Sequence, residues 1–383
     1  MADRHRLSVL LLGPASSVHT RRWASALESA GHQIVIASWQ PGPALPRTQV
    51  RIAPAAGASA ALRGLLAAPW LRRVVAEARP DVIHVHSLGA HGLLSFALPH
   101  GPARVVTPWG SELRAARHSA ARAAVVRHAL HRADLVLPTS AEVAAEVTNA
   151  YGIPAARTRI LSWGVSADMI AARPLVSADA VRSSFGIPAN ATVALSVRAT
   201  SATYRTLEIV SAFSLALVRR PDLFLVVLGG GRPDRQSARR ARDGYLDQVR
   251  DAVRGIGDRA LILDRVLSPG QMFGLMSASD IAVSVPPADQ RSSSVLEAAL
   301  AGCHIVLSDI GPYREMISDG LIADLIAEPV GVALAGHLGS ATADAASQRR
   351  NREFILAREH GAEKVTELER IYRQLVERPH RQQ

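Results

Sequence analysis

Short runs of leucine and β-branched residues alternate with longer stretches of helical periodicity along most of the chain. In the first part the runs fall at residues 7–12, 33–37, 49–52, 82–86, 104–107, 134–137 and 159–161. Near-continuous apolar strands separated by helices predict a doubly wound α/β domain, its parallel sheet covered on both faces. Beyond Gly164-Val165 the pattern loosens through residues 166–191, broken by Pro174 and Pro188, and restarts at 193–197, 223–228, 261–263, 281–285 and 304–307. The restart predicts a second domain of the same kind, with a ligand-binding cleft between the two. Near the end Val365, Leu368, Ile371, Tyr372 and Leu375 recur at helical spacing and predict a closing helix over about 362–377. The expected division is residues 1–175, 176–361 and a terminal helix within 362–383.

The stretch 279–313 organises the second half. It predicts a strand at 281–285, a polar loop over 286–293, a short helix over 294–301 and a second strand from His304. In such a βαβ unit the loop opens at the carboxyl edge of the sheet, where ligands of these sheets bind. Ser292, Ser293 and Ser294 crowd the start of a helix whose first amides have no partner inside it, a seat for an anionic group such as phosphate. Asp289 and Glu297 flank that mouth, suggesting a ligand that is part phosphate and part sugar. Ser294-Val295-Leu296-Glu297 equally fits an S-x-x-E capping box, in which Glu297 only reaches back to the cap amide. The spacing leaves both readings open.

Composition narrows the class. A chain of 383 residues with 48% hydrophobic and 20% charged residues is globular and long enough for two cores. Cys303 is the only cysteine, so no disulfide framework forms within one chain, and a reducing cytoplasm is expected. No apolar run approaches the roughly 20 residues of a membrane-spanning helix. Arg4 and Arg6 before the first apolar run imitate a signal peptide, but Arg21 and Arg22 follow soon after, so the run reads as a buried strand. The net charge of +11 is almost all arginine, Lys364 being the only lysine. With 4% aromatics and no basic run interleaved with stacking residues, nucleic acid is not the expected partner. An anionic membrane surface fits better: Arg114, Arg117, Arg122, Arg127 and Arg132 lie among apolar residues, although a solvated helix face is the simpler account.

The spacing Asp289-x7-Glu297, followed by Ala298, Gly302 and Ser308-Asp309, resembles the E-x7-E region of glycosyltransferase family 4. Gln290-Arg291-Ser292 stands where that family usually has Gly-Phe-Gly. Further matches run in order along the chain. Residues 16–23 with Gly31-His32 resemble the family's first loop, first helix and second strand. Thr107-Pro108-Trp109-Gly110-Ser111-Glu112 resembles its T-P-W-G-S-D variant. Ser162-Trp163-Gly164-Val165-Ser166 is similar to its P-W-G-V-D turn, and Ser196-Val197-Arg198 to the start of its second domain.

The resemblance implies a GT-B fold, two doubly wound Rossmann-like domains facing each other across a cleft, with the terminal helix returning to the first. It implies a retaining hexosyltransferase, which the cysteine count and the basic charge place in the cytoplasm, peripheral at the inner face of the membrane. The enzyme would move a sugar from a nucleotide-diphosphate donor to a glycan or lipid-linked acceptor, with no cofactor required. Arg198 and Arg205 would hold the donor diphosphate, Arg205 replacing the family's lysine. Asp289 would contact the transferred sugar and Glu297 the ribose. The candidate donor-lining residues are Gly229, Gly230, Val266, Ser292, Ser293, Ser294, Val295 and Leu296; the run Gly229-Gly230-Gly231 frees the backbone to approach a ligand and equally fits a plain turn. On the acceptor side stand Ser17, His19, Trp109, Gly110 and Glu112, the last a candidate base. No D-x-D pair occurs, so no metal-bridged diphosphate is expected. His84 and His86 share one strand face, but without a third ligand they read as packed residues. The alternatives are a sugar-nucleotide epimerase of the same fold, and a noncatalytic sugar-nucleotide or nucleic-acid binding protein.

Overall fold

The computed structural model describes residues 6–54, 60–172, 177–230, 244–341 and 344–377. The chain divides into two units: residues 1–163 with 361–383, and residues 164–360. The first crossing thus comes earlier than the loosened pattern around residue 175 suggests, because Val165 already pairs within the second unit, in a parallel bridge to His360.

The first unit contains six parallel strands: β1 (Ser8–Leu12), β2 (Gln33–Ser38), β3 (Gln49–Ile52), β4 (Val82–His86), β5 (Ala103–Thr107) and β6 (Leu135–Val136), in spatial order β3-β2-β1-β4-β5-β6. The central strands are buried on both faces, which is why they read as unbroken apolar runs. Residues 159–161 form no strand. Since β6 is only two residues long, the following chain makes one bridge, Thr158 to Val136, and runs on beside it through amide bonds from Arg159 to Val136 O and from Leu161 to Pro138 O without forming a strand.

The closing helix Gly361–Val376 completes the first unit's core: Val365, Leu368, Ile371, Tyr372 and Leu375 share one apolar cluster with Val9, Leu11, Trp23 and Val105. Polar contacts fix its register. Tyr372 Oη lies 2.6 Å from His84 Nδ1, and Glu369 Oε1 lies 2.5 Å from His32 Nε2. His32 Nδ1 accepts the Leu7 amide, so the proton facing Glu369 sits on Nε2.

The second unit repeats the design with β7 (Thr192–Ala199), β8 (Leu223–Leu228), β9 (Ala260–Leu263), β10 (Ile281–Ser284), β11 (His304–Ser308) and β12 (Asp324–Ile326), in order β12-β11-β10-β7-β8-β9. All pairings are parallel, and the order reverses direction between β7 and β10, as it does between β1 and β4 in the first unit. That reversal is the topological switch point, where adjoining loops part and leave a crevice at the carboxyl ends of the strands. All five tryptophans, Trp23, Trp39, Trp70, Trp109 and Trp163, belong to the first unit. Among the described residues no helix is long and apolar enough to cross a membrane.

Candidate functional site

In the second unit the switch point brings Arg198 of β7 against the loop after β10. The register of β7 with β8 shifts between Ser196 and Ala199, and such an irregularity re-aims the side chains within it. The Arg198 guanidinium donates through Nη1 to Ser292 Oγ (2.7 Å) and through Nη2 to Tyr204 Oη (2.6 Å), with Asp289 Oδ2 3.6 Å from Nη1. Its Cζ also lies 4.3 Å from the Tyr204 ring centroid, a cation–π distance. Burial works against the charge, but Asp289, Tyr204 and Tyr313 more than offset it, so the pKa of Arg198 is raised.

Ser292 is the N-cap of helix Ser293–Ala301, one residue earlier than the sequence pattern predicts. Its hydroxyl makes no capping bond and is engaged by Arg198 instead. The Ser294–Glu297 capping box therefore does not form. Ser294 lies inside the helix, and Glu297, buried at 4% exposure, lies in its second turn. Ser293, Ser294, Val295 and Leu296 form the helix's first turn, which has no side-chain cap.

Asp289 is held from below by a chain of hydroxyls. Tyr313 Oη donates to Asp289 Oδ2 (2.8 Å) and lies 2.9 Å from Ser284 Oγ. The tyrosine's one proton is spent on the carboxylate, so Ser284 must donate to the phenol oxygen. Burial first, and the Asp289 charge second, push the Tyr313 pKa well above its ordinary value, keeping the phenol a donor. Sequence inspection gives Tyr313 and Tyr204 no role, because each reaches the site only through tertiary contact.

Arg205 lies elsewhere. In the left-handed conformation (φ 52°) at the start of helix Thr206–Leu217, it pairs with Glu328 Oε1 (2.6 Å) and Glu208 Oε2 (3.6 Å), not with the Asp289 network. Gly229 closes against the end of β9: its amide donates to Leu263 O (3.0 Å), and a Cβ there would stand 2.2 Å from Asp264 Oδ1. Gly230 follows with φ +82°, a conformation that favours glycine. Val266, just beyond β9, is 72% exposed, and Gly231 lies outside the described residues.

In the first unit the switch point between β1 and β4 is aromatic. Ser17 caps helix Val18–Ser29, its Oγ accepting the His19 amide. The His19 ring stacks on Trp163 at 4.7 Å and meets Trp109 edge-on at 6.1 Å. Beneath them lies His86, its Nδ1 3.2 Å from Thr20 Oγ1, and Gly13 is needed beside it because a Cβ would stand 2.7 Å from His86 Cβ. Burial, with the neighbouring His19 and His91, lowers the His86 pKa to about 3, so the ring is neutral. His84 is a packed residue, its Nε2 2.8 Å from Thr107 Oγ1 and its other nitrogen on Tyr372.

Glu112, read from the sequence as a candidate base, binds the backbone with one oxygen and a hydroxyl with the other. Oε1 accepts the amides of Leu88 (2.9 Å) and Trp109 (2.6 Å), and Oε2 accepts Ser111 Oγ (3.2 Å). It shapes the loop in which Gly110 adopts φ +73°. In the arginine run, Arg117 pairs with Glu146, Arg132 donates to His100, and Arg127 lies over the Tyr151 ring.

Two parallel six-stranded sheets of this order, covered by helices, define the GT-B fold, and solved structures agree. Sucrose-phosphate synthase from Thermosynechococcus elongatus superposes with a TM-score of 0.77 at 18% identity, covering 97% of this chain and 99% of its own. HepE from Anabaena, solved with UDP-glucose, gives 0.75 at 17% identity over 96% and 100%. The α,α-trehalose 6-phosphate synthase from Burkholderia multivorans gives 0.71 at 14% over 97% and 98%. The family resemblance stands as well: the model of Glycosyltransferase Family 4 matches residues 16–169, within which the quoted motifs of the first unit lie. No curated protein matches the chain by sequence.

Proposed function

We propose that the chain is a hexosyltransferase that uses a nucleoside diphosphate sugar, with the donor seated at the switch point of the second unit. The observation that carries this reading is Arg198 set on the uncapped N-terminus of helix Ser293–Ala301, with Asp289 alongside. A guanidinium at the positive end of a helix dipole is electrostatically unfavourable by itself. Asp289, Tyr204 and Tyr313 hold the cation there, and a diphosphate arriving would meet it together with the amides of the first helical turn.

As the sugar bond breaks, negative charge accumulates on the departing diphosphate. Preorganised donors aimed at it stabilise the transition state more than the ground state. Arg198 would exchange Ser292 and Tyr204 for phosphate oxygens, while Asp289, steadied by Tyr313, would accept hydroxyls of the transferred sugar. Glu297 would take the ribose, and Gly229, Gly230 and Val266 would border the nucleoside. The scheme draws its positive charge from the chain and has no step requiring a metal. Retention follows if the leaving phosphate takes the acceptor proton on the same face. His19, Trp109 and Ser17 would meet a glycan or lipid-linked acceptor, with Glu112 and Gly110 shaping the loop. A cytoplasmic site at an anionic membrane face belongs to the same proposal and rests on the exposed Arg122 and Arg127.

A noncatalytic sugar-nucleotide binder is the second reading, favoured by the pairing of Arg205 with Glu328 in place of a second cation at the diphosphate. A thermal-shift panel of nucleotide sugars, beginning with UDP-glucose, tests donor binding, and a ligand at about 100 times its Kd should stabilise by about 2.7 kcal/mol. Arg198→Ala should then lower acceptor-dependent transfer by about 10²–10³-fold with the fold intact. Turnover close to wild type would remove Arg198 from the site. Donor binding without transfer to any acceptor favours the second reading, and turnover without acceptor favours an epimerase.

A further inference from the structure

The loop from β10 to helix Ser293–Ala301 carries Asp289 and Ser292 toward Arg198, while Arg291, between them, has its guanidinium among other acids. Arg291 is 7% exposed. Its Nε and Nη2 both reach Glu359 Oε1, at 2.8 and 2.6 Å, and its Nη1 donates to Asp319 Oδ2 at 2.6 Å, with Glu315 Oε1 3.9 Å away. Burial opposes the charge, but Glu359 and Asp319 outweigh it and raise the pKa of Arg291. A planar fork gripped on both sides has little freedom to rotate, so the backbone at residue 291 is fixed in place and direction.

The other end of the grip is also fixed. Glu359 is buried, and its carbonyl accepts the Val165 amide at 2.8 Å, next to the Val165–His360 bridge where the chain enters and leaves the second unit. At its start the loop is pinned by Ser308 Oγ, which donates to Pro286 O at 2.6 Å. Arg291 supplies the matching anchor at the loop's end, immediately before Ser292.

We propose that Arg291 is a positioning residue for sugar transfer, clamping the loop against Glu359 so that Asp289 and Ser292 stand in register with Arg198. This rests on the donor-site reading above. It assigns Arg291 no contact with substrate. Its effect runs through the aim of Asp289 and of the helix tip, and therefore falls on the chemical step more than on nucleotide affinity.

The test compares Arg291→Gln, Glu359→Gln, their double variant and Arg291→Lys with wild type. Arg314→Gln, which loses only the exposed pair with Asp309, serves as control. Donor KM and kcat are measured per folded molecule, alongside the affinity for UDP alone. Arg291→Gln and Glu359→Gln should each lower kcat by about 10²-fold, the effect of about an ångström of misplacement, with UDP affinity little changed. The double variant should lose no more than the worse single, since both break one clamp. Arg291→Lys should recover part of the rate, keeping the charge but not the fork. A folded Arg291→Gln protein with wild-type kcat overturns the proposal, as does a loss confined to stability. If Arg291→Gln does not fold, Glu359→Gln and Arg291→Lys decide by the same criterion. A wild type that binds no nucleotide sugar refutes the donor-site reading itself, a result separate from equal transfer by wild type and variant.

Discussion

Replacing Tyr313 by phenylalanine removes one oxygen from the interior of the second unit and leaves the ring in place. That oxygen donates to Asp289 at 2.8 Å and receives Ser284 at 2.9 Å, and Tyr313 is fully buried. A hydrogen bond to a charged acceptor contributes about 1.5–3 kcal/mol, and a stranded buried hydroxyl, here Ser284 at 2% exposure, costs about 1–3 kcal/mol. Allowing Ser284 to find another acceptor, the expected destabilisation is about 3 kcal/mol. It should appear in the second unit alone, and the position of the tryptophans makes this measurable. Their fluorescence follows the first unit, so urea unfolding read by far-UV circular dichroism should shift while the fluorescence transition stays. The two transitions must be fitted separately, because a chain of two units is not expected to unfold in one step. Transfer should fall as well, since Asp289 loses one of the two groups that orient it. A Tyr313→Phe protein within about 0.5 kcal/mol of wild type, as for an ordinary surface change, would show that the hydroxyl chain does not hold Asp289.

Two further outcomes follow from the first unit. Burial lowers the pKa of both His86 and His91 to about 3, from 6.5 when exposed, so between those pH values the unfolded chain binds more protons than the folded one. Stability should therefore fall as pH drops below 6.5, by up to about 1.4 kcal/mol per pH unit for each ring, and His91→Gln should flatten the slope of the fluorescence-detected transition; an unchanged slope would contradict the buried, neutral assignment. Gly13→Ala would place a Cβ 2.7 Å from His86 Cβ, an atom too close to the backbone to swing aside, and should destabilise the first unit by about 1–3 kcal/mol in the same assay.

The strands were legible because parallel strands covered on both faces leave apolar runs. The exceptions have physical causes. β12, three residues beginning with Asp324 at a sheet edge, carries too little apolar character to stand out. Residues 159–161 look like a strand but have only a two-residue neighbour to pair with. In the run Ser292-Ser293-Ser294 any of three residues could cap the helix; Ser292 is the one with extended backbone, and its hydroxyl goes to Arg198 instead of to the helix amides. Arg198 itself could be found from its place at a strand end. Tyr313, Glu359 and Asp319 could not, since they meet Asp289 or Arg291 across 24, 68 and 28 residues of chain. Glu112 shows the opposite error: an acid in a motif loop suggests a base, yet its oxygens hold the loop together.

The return of the last helix to the first unit has a consequence for biosynthesis. On the ribosome, residues 164–360 emerge as one continuous piece whose two ends meet at Val165 and Glu359, so this unit can close as soon as it leaves the exit tunnel. The amino-terminal half, although made first, must wait for Leu368, Ile371 and Tyr372 before its apolar layer is covered and His84 gains its phenol partner. Chains ending at residue 360 and released from the ribosome should thus carry a finished second unit and an open first one, the reverse of an amino-to-carboxyl order of domain folding.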